Sequence, residues 1–443
     1  MNLHHRQSEK GSVFIVVLAV SLALVSMALV FGHSMLMAWR GSDNDLAGRQ
    51  ADQAIEGAAR YAESLMAKVT NPGDLPDPTS YQSEALPVGD SKFWFIGVLS
   101  ATSVVTQPAF GLVDEASKLN LNTASSAMLQ QLPGMTPDLS TSIITWRNTA
   151  TDQTASTAGT ITSMGPVKNA PFESVEELAL LTGTDSTILY GEDASLNHAL
   201  DPNEDDSDAT APPDNADGKL DSGLMEYVTV FSREPNKRAD GSARINVTDG
   251  RPPGSRTLAA PLKLLLTNAL AKGRDNEIEQ NAGSGPFRNP LEFYIRSKMT
   301  EEEFGKIAAD LTWRGGNFIT GLVNVNTASQ TVLACIVGAD NASKLIAERL
   351  TKTTPSTNLA WIVKIIGETA AVQAGTYLTT RSYQVSADVA AVGHHGRGYR
   401  RTLFVIDSST GTPRIVYRRN LASLGWALGS SARDMLTAKK DTP

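Results

Sequence analysis

The sequence predicts an α+β protein with a long N-terminal helix, a mainly helical middle region and strands concentrated towards the C-terminus. An apolar stretch from Ser12 to Trp39 contains no Lys, Arg, Asp or Glu. An Asn-x-Asn-Thr-Ala-Ser motif occurs twice, each time ahead of helical segments, and alternating or β-branched runs follow the second copy. These observations together indicate mixed secondary structure behind one apolar N-terminal element.

The apolar stretch is long enough to span a membrane. At about 1.5 Å per residue, it crosses a hydrocarbon core of about 30 Å. Arg6 and Lys10 precede it, which favours a cytoplasmic N-terminus because positive charge resists translocation. A cleaved secretory signal would have a shorter apolar region and small residues at the cleavage site. We therefore expect one membrane span, with the rest of the chain outside the cytoplasm.

The helix is expected to continue beyond the membrane. Residues 45–69 are rich in Ala, Gln, Glu and Arg, and Asn71-Pro72-Gly73 ends the segment. An intermittent apolar stripe is formed by Leu46, Ile55, Ala58, Ala59 and Leu65. The pattern predicts one helix of roughly 55 residues, about 85 Å long.

Composition restricts the classes of function. A net charge of -8 argues against a nucleic-acid partner, because phosphate binding needs a basic surface. Cys335 is the single cysteine and lies in the apolar run Val332 to Ile336, so we expect a buried, inert thiol and no internal disulfide. No arrangement of nucleophile, base and orienting group is visible, and we expect no enzymatic activity.

The repeated motif predicts two helix-hairpin-helix units. Residues 118–125 recur as 322–329, and each copy precedes a helix, a Gly and a second helix that ends in Arg. The predicted helices are 128–132 and 139–147 in the first copy, and 332–337 and 341–349 in the second. The motif Thr is expected to cap the first helix through its hydroxyl. Ser174 and Glu177 predict a capping box at a further helix.

The hairpin turns bear on DNA binding. Units that bind DNA expose backbone amides at a Gly-x-Gly turn, but Thr136 and Asp340 occupy the position of the second Gly. The Asp340 carboxylate would also repel phosphate. We expect a structural or protein-contact role for these units.

Twelve residues of an acidic tract match an EF-hand-type calcium loop. Oxygen ligands at alternating positions converge when such a loop wraps around the cation. The candidate ligands are Asp193, Ser195, Asn197, Ala199 through its carbonyl, Asp201 and Glu204. His198 replaces the Gly of the sharp turn, at a moderate conformational cost. The alternative is a solvated acidic linker, which the prolines of the tract favour.

A second, incomplete match follows the first. Asn215, Asp217 and Asp221 surround Gly218 as in the middle of such a loop, but the first and last ligands are missing. The carboxylates that could complete it are those of Asp206, Asp208 and Asp214. These residues are a second, incomplete candidate, either as part of the same calcium site or as a separate one.

The predicted strands share alternating or β-branched composition. They are 92–99, 227–231, 382–390, 401–406 and 414–417. Gly393 to Gly398 reads as a hairpin turn, and His394 and His395 within it lack companion metal ligands. Trp426 is expected to pack a last segment onto the sheet.

Three separated stretches resemble one protein family. Lys10-Gly11-Ser12 followed by apolar residues resembles the leader junction of type IV pilins and type II secretion pseudopilins. Residues 110–122 and 227–232 resemble the points where the GspK-type minor pseudopilin leaves and re-enters its sheet. Val16 stands where most family members carry Glu, and an apolar residue there is the GspK pattern, although a plain signal anchor would also carry one.

The resemblance implies a fold and a function. The fold is a pilin-like helix packed on an antiparallel sheet, with an inserted α-helical domain of helix-hairpin-helix, or SAM-like, type. Prepilin peptidase would cut between Gly11 and Ser12. The protein would span the inner membrane once, with a periplasmic globular part, and work at the tip of the pseudopilus. Expected partners are other minor pseudopilins, the inner-membrane secretion platform and secreted proteins, with Ca²⁺ as a structural cofactor.

The implied domain plan has eight parts. They are a leader at 1–11, the membrane and stalk helix at 12–69, the first part of the sheet domain at 70–113, the inserted helical domain at 114–190, the acidic loop at 191–222, return strands at 223–248, a region with the second helix-hairpin-helix at 249–380, and closing strands at 381–430. Residues 244–248 resemble a decayed copy of the Asn motif, and 249–289 have no counterpart. The rival interpretation is a membrane-anchored DNA receptor of the competence type.

Overall fold

A computed structural model describes residues 10–98, 106–148, 168–207, 209–248, 257–284 and 286–438. Residues 1–9 of the predicted leader, Leu99 at the end of a predicted strand, and Asp208 lie outside them. The helices are α1 (Lys10–Ala67), α2 (Ser126–Leu129), α3 (Pro137–Arg147), α4 (Ser186–Tyr190), α5 (Leu224–Tyr227), α6 (Ala260–Ala269), α7 (Arg274–Ala282), α8 (Pro290–Ser297), α9 (Glu301–Ile307), α10 (Gln330–Val337), α11 (Ala339–Thr351), α12 (Ala360–Ile366), α13 (Glu368–Ala374) and α14 (Gly429–Ala438).

The strands are short except in the C-terminal part. They are β1 (Leu86–Val88), β2 (Ser91–Gly97), β3 (Ala109–Phe110), β4 (Val113–Asp114), β5 (Leu119–Asn120), β6 (Val228–Thr229), β7 (Arg233–Pro235), β8 (Ile245–Asn246), β9 (Leu311–Thr312), β10 (Phe318–Thr320), β11 (Val323–Asn324), β12 (Leu378–Thr379), β13 (Gln384–Val392), β14 (Arg400–Asp407) and β15 (Arg414–Asn420). The main sheet is antiparallel in the order β1-β2-β13-β14-β15, with β3 on β2 and β4 on β13.

Helix α1 has two parts with different environments. Side chains from Val13 to Trp39 are exposed, and among the described residues this is the one helix long and apolar enough to cross a membrane. The second part buries small residues spaced three or four apart, namely Ala47, Ala51, Ala54, Ala58 and Ala62. Leu46 is 53% exposed, so its predicted place in the stripe is wrong. The adjacent Ala47 is buried instead, beside the turn between β13 and β14, because neighbouring helix positions point about 100° apart.

The two faces of the sheet are covered by different elements. Phe93, Phe95 and Phe404 form a core with the second part of α1. On the opposite face, Trp94 and Ile96 pack against residues of the C-terminal segment, and Trp426 joins this cluster as expected. The α+β fold class, with a long helix on an antiparallel sheet, is therefore confirmed.

The turn between β13 and β14 holds α1 close to the sheet. An ideal Cβ on Gly393 would lie 2.1 Å from the carbonyl oxygen of Ala47, so only glycine allows this approach. The ring of His394 lies within 2.7 Å of Asp43 Oδ1 and 2.6 Å of Gln50 Oε1, and Arg397 also bonds Asp43. The turn interpretation is correct, and the histidine contacts helix α1.

Among the described residues, one structural unit occurs three times. In each unit a short strand pairs in parallel with a strand that ends in Thr, giving β5 with β6, β8 with β9 and β11 with β12. The first strand carries an Asn whose Oδ1 accepts the N–H two residues later, from Asn120, Asn246 and Asn324. The Asn246 segment is therefore a counterpart of the other two copies, and its unit contains α6 to α9.

Repeated contacts explain the sequence of the motif. The side-chain amide of the second Asn donates to the carbonyl oxygen, and accepts the N–H, of one residue further along its unit. The pairs are Asn122 with Phe172 and Asn326 with Ser356. The Arg in the last turn of the second helix donates to carbonyl groups of the motif, as Arg349 does to Val325 (3.1 Å) and Ala328 (2.7 Å). The motif is thus used for internal packing.

Two details differ from expectation. The caps of α2 and α10 are Ser125 and Ser329, whose hydroxyls accept N–H groups at 3.2 and 3.3 Å, so the prediction of Thr caps is wrong. Each motif Thr instead lies in a turn that begins at the first Asn of the motif, three residues earlier. The Thr327 N–H, for example, donates to the Asn324 carbonyl oxygen. The predicted capping box of Ser174 and Glu177 is present, at a 3-10 helix.

The predicted return to the sheet at 227–232 is also wrong. Residues 228–229 form β6, which pairs with β5 outside the main sheet. The strands from β5 to β12 all lie outside the main sheet. The chain leaves this sheet after β4 and re-enters it at β13, which pairs with β4. The units together form one insertion between β4 and β13.

Candidate metal-binding loop

The acidic tract is closed at its base by glycine. Gly191, with φ +63°, forms an antiparallel bridge with Ser222, and an ideal Cβ on Gly191 would lie 2.1 Å from the Asp221 carbonyl oxygen. This closure brings the two ends of the tract together beside α4 and α5.

The first candidate loop, residues 193–204, is wound around its own side chains. Asp193 accepts N–H groups from Asn197 and His198, both at 3.0 Å. Asn197 accepts the Ala199 N–H at 2.8 Å and donates to Asp201 at 3.0 Å. Hydrogen bonds between alternating positions give the loop a compact, turned form.

The last residue of the loop points back into it. Glu204 is 1% exposed, and its Oε2 accepts the Asp201 N–H at 3.0 Å. Its Oε1 and the Ser195 hydroxyl are buried without a hydrogen-bond partner. These two oxygens stand at predicted ligand positions and are free to coordinate a cation, which would satisfy groups that are otherwise costly to bury.

The carboxyl groups of the loop hold protons more tightly than usual. Burial raises the pKa of Glu204 to about 8, and the negative charges of Asp193 and Asp201 add to the effect. Burial also raises the pKa of Asp193 and of Asp201. A divalent cation would replace these protons and remove the repulsion.

His198 is accommodated at the position of the usual glycine. It has φ +59°, and its Nδ1 lies 2.6 Å from Glu226 Oε2 of α5. Burial lowers the pKa of His198, but the charges of Glu226 and Asp193 outweigh burial and raise it. The contact with Glu226 supports the left-handed backbone where glycine is missing.

The second candidate segment is more exposed. Asn215 donates to Asp221 at 3.0 Å and accepts the Asp217 N–H at 2.9 Å. Two residues that the sequence pattern did not identify complete its surroundings: Glu192 accepts the N–H groups of Asn215 and Asp221, and Asp205 accepts that of Gly218. Glu192 and Asp205 directly flank the first twelve-residue loop, residues 193–204, and the sequence pattern therefore did not include them.

The two segments differ as metal sites. In the described part of the chain, no three Asp, Glu, His or Cys side chains converge as a metal-binding group. The first loop nevertheless contributes a hydroxyl, an amide and carbonyl oxygens, which suit Ca²⁺. Asp214 already accepts three N–H groups, so it supports the fold of the second segment.

No protein-family model and no curated protein matches this chain. Among solved structures, it is similar to a chain of the GspK-GspI-GspJ complex from the enterotoxigenic Escherichia coli type 2 secretion system. The sequences are 11% identical, the TM-score is 0.36, and the match covers 84% of this chain and 96% of that chain.

Proposed function

We propose that this chain is a GspK-like minor pseudopilin that acts in assembly at the tip of a type II secretion pseudopilus. The observation that carries the proposal is the division of α1. One uninterrupted helix of 58 residues has an exposed apolar part and a part packed on an antiparallel sheet. This arrangement suits a subunit that is held in the membrane before assembly and then joins a filament.

Two further features favour the tip over the body of the filament. Val16 is apolar, so the helix lacks the carboxylate expected to pair with the amine of a neighbouring subunit. The three inserted units add bulk beside the sheet, between β4 and β13, which a repeating filament subunit would have to accommodate at every position. The proposed location is the inner membrane, with the sheet and the units in the periplasm.

Binding experiments test the function directly. The full chain in detergent should co-purify with minor pseudopilins of the GspI and GspJ types, and should not shift DNA in a gel at physiological salt. The rival DNA receptor predicts the reverse, with DNA binding that weakens as salt rises. DNA binding without pseudopilin binding would overturn the proposal.

We also propose that residues 193–204 bind Ca²⁺. Asp193, Ser195, Asn197, the Ala199 carbonyl, Asp201 and Glu204 would hold the ion, and Glu204 would close the shell. The unpartnered Ser195 and Glu204 oxygens support this. Asn215, Asp217 and Asp221, with Glu192 and Asp205, would form a second or an adjoining site. Bound calcium would order the tract by offsetting the repulsion between its carboxylates.

Calcium should raise the melting temperature of the full chain. A ligand at 100 times its Kd stabilises a protein by about 2.7 kcal/mol. Asp193→Ala with Glu204→Ala should abolish the rise, whereas Asp138→Ala with Glu302→Ala, which removes the same two charges from exposed helix turns, should retain it. A full response in the first double variant would exclude the site as assigned.

A further inference from the structure

Arg401 is a buried cation that joins the main sheet to the acidic loop. Its side chain is fully buried in β14. The guanidinium binds Asp388 of β13 through two contacts, Nε to Oδ1 at 3.0 Å and Nη2 to Oδ2 at 2.6 Å. It also donates to the carbonyl oxygens of Ser195 and Leu196, the latter at 2.7 Å. One side chain therefore connects the third and fourth positions of the candidate calcium loop to the centre of the sheet.

These contacts fix an uncommon backbone conformation. Leu196 has φ +52° and His198 has φ +59°, a region that non-glycine residues seldom adopt. Such residues persist where surrounding contacts hold them. The Leu196 carbonyl is held by Arg401 and the His198 N–H by Asp193, so the turn between Asp193 and Asn197 is restrained on both sides.

The positive charge of Arg401 and its hydrogen bonds to the loop should have opposite effects on the affinity of the loop for a cation. A positive charge near Asp193 would repel Ca²⁺, although its ion pair with Asp388 reduces that repulsion. The donated hydrogen bonds, in contrast, hold the loop in the form that presents the Ser195 and Asn197 side chains. Removing Arg401 would therefore strengthen calcium binding if charge dominated, and weaken it if positioning dominated.

We propose that Arg401 is a positioning residue for the calcium loop and transmits occupancy of the loop to the sheet. The inference rests on the proposed calcium binding. Residues that orient metal ligands from outside the coordination shell typically contribute 10- to 100-fold to metal affinity. Arg401 contributes through the Ser195 and Leu196 carbonyls, and Asp388 holds the guanidinium in place.

The test compares calcium affinity by titration calorimetry of the full chain. Arg401→Met with Asp388→Leu replaces the buried ion pair by apolar groups, so the sheet should still fold. Its melting temperature in EDTA checks this. We expect the double variant to bind calcium about 10- to 100-fold more weakly, and Arg401→Lys, which keeps the charge but not the fork of donors, to fall in between. Arg400→Lys makes the same change as Arg401→Lys at a neighbouring residue that pairs with Asp52 instead of the loop, and should retain wild-type affinity.

A second readout separates positioning from simple stability. Calcium should slow amide hydrogen exchange in β14 of the wild type, and this effect should be lost in the double variant. Unchanged or tighter binding in a folded double variant would overturn the role of Arg401 alone. Absence of calcium binding in the wild type would overturn both this role and the proposed calcium function.

Discussion

At the scale of single residues, Asp114 joins the sheet to the last inserted unit. It is buried at the end of β4 and accepts hydrogen bonds from Asn324, Thr327 and Ser382, as well as from the Ala116 N–H. Ala116 lies at the start of the insertion, Asn324 and Thr327 lie in its last unit, and Ser382 lies just before β13. Asp114 therefore connects the two ends of the insertion. The motif Thr that was expected to cap a helix has this different function in the second copy.

Asp114→Ala should destabilise the protein strongly. The Asn324 and Thr327 side chains would lose their acceptor, whereas Ser382 would keep its hydrogen bond to the Gln384 carbonyl oxygen. Each unsatisfied group costs roughly 1–3 kcal/mol, so we expect a loss of at least about 2 kcal/mol. Urea unfolding followed by tryptophan fluorescence measures it. Asp138→Ala, at an exposed position of α3, is the control, and equal effects of the two changes would contradict this role.

Asp43 predicts a pH dependence of the contact between α1 and the hairpin turn. The hydrogen bond with His394 and the charge of Arg397 lower the pKa of Asp43 below 3.8. Because the folded pKa is depressed, the stabilisation is present above about pH 3.8 and lost as the pH falls further. The difference in melting temperature between the wild type and Asp43→Asn should therefore shrink towards zero in acid. A difference that stays constant from pH 7 to pH 3 would contradict the ion pair.

At the scale of elements, local patterns predicted α1, the first helix pairs of two units and the long strands of the main sheet. Errors arose where the partner of a segment is distant in sequence. Alternation identified β13, β14 and β15 within a few residues. The same signal at 227–231 is equally strong, but its partner turned out to be β5 and not the main sheet. Strand composition describes a pleated, half-buried segment and does not specify which strand lies beside it.

The candidate loop shows the same limit. Its ligand positions could be predicted because they follow a fixed local spacing. Arg401 could not be, since its contact with Ser195 joins residues 206 positions apart. Glu192 and Asp205 were missed for a simpler reason, because they flank the window that defines the pattern.

Gly398→Ala should displace the hairpin turn from α1. Gly398 has φ +66°, and an ideal Cβ would lie 2.3 Å from the Gly48 nitrogen. We expect faster hydrogen exchange in α1 around residues 43–50. Gly89→Ala, with φ +58° and open space around the new Cβ, carries similar backbone strain without the collision. If both variants leave exchange in this part of α1 unchanged, the close approach is not what holds the turn.

At the scale of the whole molecule, the exposed apolar part of α1 is a candidate membrane anchor. Val16→Glu should reduce recovery of the chain in complexes with other minor pseudopilins. At the tip the new carboxylate would lack a partner, and an unpaired charged side chain within an apolar membrane segment is costly. Val16→Leu should be neutral. Improved recovery of Val16→Glu would instead place a subunit above this one.

Under the proposed function, this chain enters a pseudopilus as a processed minor pseudopilin. The most direct measurement is the mature N-terminus, determined by mass spectrometry in cells with and without prepilin peptidase. We predict a chain that begins at Ser12 only when the peptidase is present. A chain that retains residues 1–11 in both strains, or is cut near Ala38 independently of the peptidase, would contradict the claim.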